Sequence, residues 1–275
     1  MKRKAFTRFT VLLFVLFVFI VKIFPVKAKV THQPGKLTYK TAIFTEYFNW
    51  KEYNTDGSKD LEEEGWRDGI RLSLERYWEN HFFTRGTAKF YFGRVDYDGH
   101  TQSGTPVSTD GNYQGYYFEL NGGYEWAISK RMAISPFAGI AYENWYRDLE
   151  STSAAIGYTE NWKTLFWKVG TDFSYEITDN GFLTAQLWGG KPFYTKNRAD
   201  IATVDVEPKG DLYVGGSIGY EIRGDNYDTN ISLYSEYRHW DKSDPEIGYF
   251  NGQLSSITQP ESKEFIAGLL ISIGF

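Results

Sequence analysis

The stretch from Lys263 to Phe275 narrows the possible folds more than any other. Every second residue counted back from the end is apolar: Phe275, Ile273, Ile271, Leu269, Ala267 and Phe265. The interleaved set, Gly274, Ser272, Leu270, Gly268, Ile266 and Glu264, is smaller and more polar. A period of two puts the first set on one face of a β-strand and the second on the other. A wholly apolar face must be covered. The edge of a soluble β-sandwich and a wall against lipid are the two solutions, and the rest of the chain chooses between them.

Two properties favour lipid. The mean hydropathy is -0.46, too polar for a bundle of membrane helices, yet 19% of the residues are aromatic. That pairing is expected of a barrel with aromatic girdles and a polar interior. The N-terminus carries Lys2, Arg3, Lys4 and Arg8, then an apolar run from Val11 to Val21, then Val26-Lys27-Ala28. This is the pattern of a secretory signal peptide over residues 1–28, cut after Ala28. An N-terminal anchor is the alternative, but the run ends at Lys22, well short of the ~20 residues a spanning helix needs. Cysteine is absent, which excludes a lipoprotein, a disulfide framework and thiolate chemistry. Residues 1–28 hold six basic and no acidic side chains, so their removal takes the net charge from -5 to -11. An acidic chain argues against nucleic acid as a partner. Beyond residue 28 no apolar run approaches spanning length, so a membrane form must be a closed barrel, which satisfies its own backbone in lipid.

Alternating segments recur along residues 29–275, which form one domain. Ten are predicted: 37–53, 66–78, 87–97, 113–126, 132–147, 162–177, 182–194, 212–222, 229–240 and the last strand. Short Asp/Asn/Gly turns at 129–131, 179–181 and 224–228, with a medium one at 79–86, alternate with long connections at 54–65, 98–112, 150–161, 198–211 and 242–262. An even number of strands with short turns at one end and long loops at the other is the pattern of barrels that span the outer membrane. Merging or splitting one hairpin gives eight or twelve strands.

The terminal Phe275, the signal and this loop pattern together resemble the bacterial outer-membrane β-barrels, whose chains typically end in Phe. The resemblance implies an all-β, transmembrane, antiparallel up-and-down barrel in a Gram-negative outer membrane. It also implies a C-terminal strand read by the barrel-assembly machinery at Phe275, contact with outer-membrane lipid and lipopolysaccharide, and a monomer. Ala133–Leu149, with its Pro136-Phe137 strand running into Trp145-Tyr146-Arg147-Asp148, is similar to strands of uncharacterised small outer-membrane barrels. Pro136 lacks a donor and predicts a local irregularity. Trp145 and Tyr146 are expected as interfacial anchors.

If the apolar faces meet lipid, the other faces enclose Lys40, Glu46, Arg71, Glu75, Glu119, Glu125, Lys168, Asp172, Glu176, Glu221, Glu236 and Arg238. Opposite charges in a narrow lumen must pair. Ten strands lie near the ~8 whose interior is filled by side chains, far from the ~16–18 of an aqueous porin. A packed polar lumen is therefore the expectation. Gly170, Ser174, Gly215, Ser217, Gly268 and Ser272 leave a narrow channel open as an alternative.

Candidate chemistry sits at the rim. Asp96 and Asp98 end the third strand, and His239 and Asp241 end the ninth. Aspartates and a histidine at a barrel rim resemble the omptins, ten-stranded outer-membrane proteases. That resemblance would make Asp96/Asp98 one pair and His239/Asp241 the other, activating a water between them. The order here is His-x-Asp where omptins have Asp-x-His. Ser232 and Ser235 precede His239 without a serine-hydrolase spacing. His32 and His81 show no evident partner, and neither a metal site nor a cofactor is expected. The sequence therefore points to a non-enzymatic structural or surface-recognition barrel acting through its outer loops, of which 247–252 is rich in aromatic and glycine residues. A narrow channel and an omptin-like rim protease are the alternatives.

Overall fold

A computed structural model describes His32, residues 35–101 and residues 104–275. The expected signal peptide, residues 1–28, lies outside the described residues. The strands are β1 (Leu37–Tyr53), β2 (Lys59–Tyr77), β3 (Phe82–His100), β4 (Pro106–Tyr124), β5 (Trp126–Ser129), β6 (Met132–Leu149), β7 (Thr159–Glu176), β8 (Gly181–Ala199), β9 (Lys209–Arg223), β10 (Asp228–Asp241), β11 (Glu246–Phe250), β12 (Gln253–Ile257) and β13 (Glu261–Gly274). All pairings are antiparallel, each wall strand beside its sequence neighbour, and β4 pairs with β6 to complete the ring. β5 continues β4 in the same register, so the wall has ten staves, as expected. The closing strand does close the barrel. β13 pairs with β1 from Glu261↔Tyr53 to Gly274↔Lys40, and Phe275 exchanges two backbone hydrogen bonds with Tyr39.

The expected break at Pro136 is present. Tyr124 and Glu125 lie opposite Pro136 and Ser135, where the missing proline N–H interrupts the ladder and separates β4 from β5. The Glu125 N–H bonds instead to the carbonyl of His81.

The wall presents an exposed apolar belt, with Ile43, Ile70, Leu72, Phe90, Leu120, Ile140, Val169, Ile231 and Ile271 looking outward. Trp78, Phe82, Trp126, Tyr227 and Phe275 girdle its lower edge, at the end holding both described termini, here called the inner end. The chain is a transmembrane β-barrel. No helix among the described residues is long and apolar enough to cross a membrane, so the crossing is made by strands.

The outer loops are shorter than expected, because the strands continue past the belt. β2 begins at Lys59 rather than Trp66, and β4 at Pro106 rather than Tyr113. The outer connections shrink to 54–58, 101–105, 150–158, 200–208 and 242–260. The last holds a hairpin, β11–β12, closed by Asn251 (φ 49°) and Gly252 (φ 76°). Two consecutive positive φ angles match the right-handed twist of a two-residue hairpin, and Asn-Gly adopts them at least cost.

Candidate functional site: a divided lumen

Four inward tryptophans meet near the outer end. Trp50 of β1, Trp145 of β6, Trp162 of β7 and Trp240 of β10 pack with ring centroids 5.1 to 6.1 Å apart, Trp145 stacked on Trp162. None is more than 5% exposed. Trp145 is therefore not an interfacial anchor. It occupies the inward phase of β6, while Tyr146 beside it is exposed on the outer wall.

Two residues further out on three of these strands lie Glu52, Arg147 and Glu160. Arg147 is the hub. It bonds to Glu63 of β2, to Glu160 at 2.7 Å, and lies 3.7 Å from Glu52. The Trp50 and Trp162 indoles donate to Glu52 and Glu160 at 3.0 Å, and the Tyr113 hydroxyl donates to Glu63. Three buried carboxylates thus share one guanidinium. Their strands are already above the lipid belt, since their outward neighbours are Asn49, Lys51, Glu62, Glu64 and Asn161. Burial, reinforced by the Glu160 and Glu63 charges, pushes Glu52 up to about 7. Burial raises Glu63 as well. Within the cluster, Glu52 is therefore the carboxyl that keeps its proton toward neutrality.

Above this floor opens an outer vestibule of about 660 Å³. Its walls mix apolar side chains, Leu149, Val206, Phe250 and Ile257 among them, with polar ones such as Thr109, Asn197 and Gln259. The β11–β12 hairpin is held against the β8–β9 connection by Asn251 N–H to Ile201 O (2.8 Å) and Thr203 N–H to Tyr249 O (2.9 Å).

Below the tryptophans the lumen is a lattice of charges. Glu46 accepts from Arg67 (2.7 Å), Lys89 (2.8 Å) and the Tyr234 hydroxyl (2.6 Å). Arg238 bonds to Glu143 and to Glu236 at 2.9 Å, and Lys168 pairs with Glu119 at 2.6 Å. Nearer the inner end, Arg85 joins Glu75 (2.7 Å) to Asp172 (2.6 Å), and Glu221 binds Lys40 (3.1 Å) and Arg223 (2.6 Å). Two connected cavities run between these tiers, about 190 Å³ and about 70 Å³. No residue lines both these inner cavities and the vestibule.

All the residues expected in the lumen point inward, and most fall into these pairs. Two stand apart. Glu176 is fully buried with neither carboxylate oxygen hydrogen-bonded, and Arg71 has no hydrogen-bond or ion-pair partner among the described residues. Of the small inward positions, Ser174, Ser217 and Ser272 line the larger inner cavity, whereas two of the glycines are covered by aromatic rings. A Cβ on Gly215 would lie 2.5 Å from the Trp188 ring, and one on Gly268 would lie 2.6 Å from the Tyr234 ring. At both glycines the absent side chain makes room for a neighbouring aromatic ring.

The rim candidates do not assemble. Asp96 and Asp98 alternate with buried Val95 and Tyr97, so they face outside the barrel. His239 also sits on the outer face, between Asp211 (2.9 Å) and Glu261 (3.1 Å), and Asp241 is exposed. β2, β1 and β13 separate β3 from β10 around the ring. The two pairs look away from the mouth they would have to share. Ser232 and Ser235 of β10 take opposite faces, Ser232 lining the inner cavity. His32, expected to lack a partner, stacks on Tyr77 at 4.1 Å and bonds Glu125 at 2.7 Å across the inner mouth. The tryptophan floor itself escaped the sequence reading. Its trace is a repeated spacing, Trp50-x-Glu52, Trp145-x-Arg147 and Glu160-x-Trp162.

No family model matches the chain, and no curated protein matches it. Solved structures do. The outer membrane protease OmpT from Escherichia coli is 9% identical over 90% of this chain and 98% of its own, with a TM-score of 0.60. The outer membrane protein OprG from Pseudomonas aeruginosa is 10% identical over 91% and 98%, with a TM-score of 0.40. An outer membrane channel from Pseudomonas putida F1 is 10% identical over 92% and 100%, with a TM-score of 0.43. The likeness to OmpT is one of fold.

Proposed function

We propose that this chain is a closed-lumen barrel of the outer membrane that recognises a ligand from outside in its vestibule, without conducting solute and without catalysis. One observation carries the reading: the floor of four tryptophans and the Arg147 cluster divides the outer vestibule from the inner cavities. The vestibule sets apolar side chains among polar ones over a charged floor, a mixture that can grip a small molecule by both contact and hydrogen bond. The rim carboxylates and His239, facing outward on separate strands, supply no common cleft for a water. In the same reading the apolar belt meets outer-membrane lipid and lipopolysaccharide, and the chain is monomeric. The inner end is periplasmic, and the strand ending at Phe275 is the segment offered to the assembly machinery.

The test is a pair of measurements on the refolded full-length barrel. In planar bilayers the wild type should carry no steady current. An apolar fluorescent probe should bind the wild type and lose binding in Leu149→Trp or Val206→Trp, which fill the vestibule. A steady wild-type conductance would return the protein to the channels. Undiminished probe binding in both tryptophan variants would remove the vestibule as the site.

A further inference from the structure

Among the described residues the lower lumen contains one cation, Arg71, that no carboxylate neutralises. Lys40, Arg85, Lys89, Lys168, Arg223 and Arg238 each reach a carboxylate within 3.1 Å. Arg71 reaches none, and its side chain makes no hydrogen bond to any described residue. Its ladder neighbours make matters worse. Ala42 lies opposite on β1 and Lys89 on β3, so two like charges face each other across the strands. The nearby acids are committed: Glu75 and Asp172 to Arg85, Glu221 to Lys40 and Arg223, Glu125 to His32. An uncompensated charge inside a protein is costly, and it is met by a counter-charge or by water.

Arg71 is also the residue around which the two inner cavities join. It lines both, together with Gln186, Ser217, Ser232 and Leu270. Ser217 of β9, Ser232 of β10 and Ser272 of β13 bring hydroxyls to the larger cavity, and none of the three hydrogen-bonds another described side chain. A guanidinium fork offers two parallel donors, and the hydroxyls add donors from other strands of the wall. Four-oxygen anions match such a set better than a spherical halide, which cannot use the fork.

We propose that Arg71 and the surrounding serines form a binding site for a small tetrahedral oxyanion of the phosphate class, entered from the inner end past His32. The site lies on the far side of the tryptophan floor, so it stands or falls independently of ligand recognition in the vestibule.

Isothermal titration of inorganic phosphate into the refolded full-length barrel, at constant ionic strength, tests it. One phosphate should bind per barrel, sulfate should compete, and chloride at equal ionic strength should not. Arg71→Gln should weaken binding by about tenfold or more, the loss expected for a charge-assisted fork, and Arg71→Lys should retain part of it. Wild-type affinity in Arg71→Gln would overturn the proposal, as would a wild-type barrel that binds no phosphate or binds chloride equally. Should Arg71→Gln not refold, as judged by its heat-modifiable gel mobility, the paired Ser217→Val and Ser232→Val variant serves. Unchanged phosphate affinity there would also overturn the proposal.

Discussion

The same strands carry opposite patterns in the two halves of the barrel. Within the belt, β1 turns Tyr39 and Ile43 outward and Lys40 and Glu46 inward. Above it, β1 turns Asn49 and Lys51 outward and Phe48 and Trp50 inward. On β3, Phe90 and Phe92 face out over Lys89, while higher up Asp96 and Asp98 face out over Val95 and Tyr97. On these two strands the backbone pleat keeps one phase throughout. What changes is the solvent outside. Lipid leaves the polar groups only the lumen to occupy, whereas water lets the extended wall fold like a soluble protein, aromatic within. The lower lumen is therefore ion-paired, and the upper lumen is packed with aromatic side chains beneath the vestibule.

The sharpest way to break this contrast is to remove a cation from each half. Arg147→Ala leaves Glu52, Glu63 and Glu160 buried without their shared cation, and breaking a buried pair in this way costs about 3–5 kcal/mol. Arg71→Gln removes a side chain that has no partner among the described residues and stands beside a cavity. Its cost should stay under ~1 kcal/mol, since no packed or paired feature is lost. Urea unfolding from lipid vesicles compares the two. Equal losses would show that the halves do not differ as described.

The pH dependence sharpens the upper half alone. Glu52 ionises at about 7 in the folded protein against an ordinary value of 4.5. Between those values the folded state keeps a proton that the unfolded chain has lost. The associated stability is full below 4.5 and is lost as pH rises through 7. The shift sets a ceiling of roughly 3 kcal/mol for this group. Stability should therefore fall by about 1–3 kcal/mol from pH 5 to pH 8, and Glu52→Gln should flatten the curve. A rise in stability over that range would contradict the retained proton on Glu52.

This inversion also explains what the sequence disclosed and what it hid. Alternation within the belt was legible because outward residues there are mostly apolar. It located ten strands, the closing pair β1–β13 and the inward charges. Where the pattern inverts, at Trp66 on β2 or Tyr113 on β4, a search for apolar-out alternation stops, so the strand extensions read as loops. The tryptophan floor was hidden for the same reason. Trp145 beside Tyr146 looked like an anchor because aromatic residues near a strand end suit both an interface and a core. Pro136 was legible, since a missing donor has one consequence in any sheet. The isolation of Arg71 was not, because pairing depends on which of several inward acids each cation reaches.

Below the floor, the ring-against-glycine packing separates a filled lumen from a channel. In Gly215→Ala the new methyl meets the Trp188 indole at 2.5 Å, on a side chain itself 8% exposed. Overpacking of this kind costs about 1–3 kcal/mol. If the lumen were loosely filled, Trp188 would swing aside and the unfolding midpoint would not move.

The smallest effect is expected on the outside of the extended wall, where the rim candidates lie. His239→Ala removes contacts with Asp211 and Glu261, both more than a third exposed. Ion pairs so placed contribute between ~0 and ~1 kcal/mol. The variant should unfold within that margin of the wild type, and its activity toward a panel of peptides should equal that of the wild type. A base must come within ~3 Å of the proton it takes, directly or through one water. His239, on the outer face with β13, β1 and β2 between its strand and that of Asp98, has no route to such a geometry across the mouth. A peptide turnover present in the wild type and lost in His239→Ala would require the outer face itself to bind substrate, and the exterior of the extended wall would no longer count as inert.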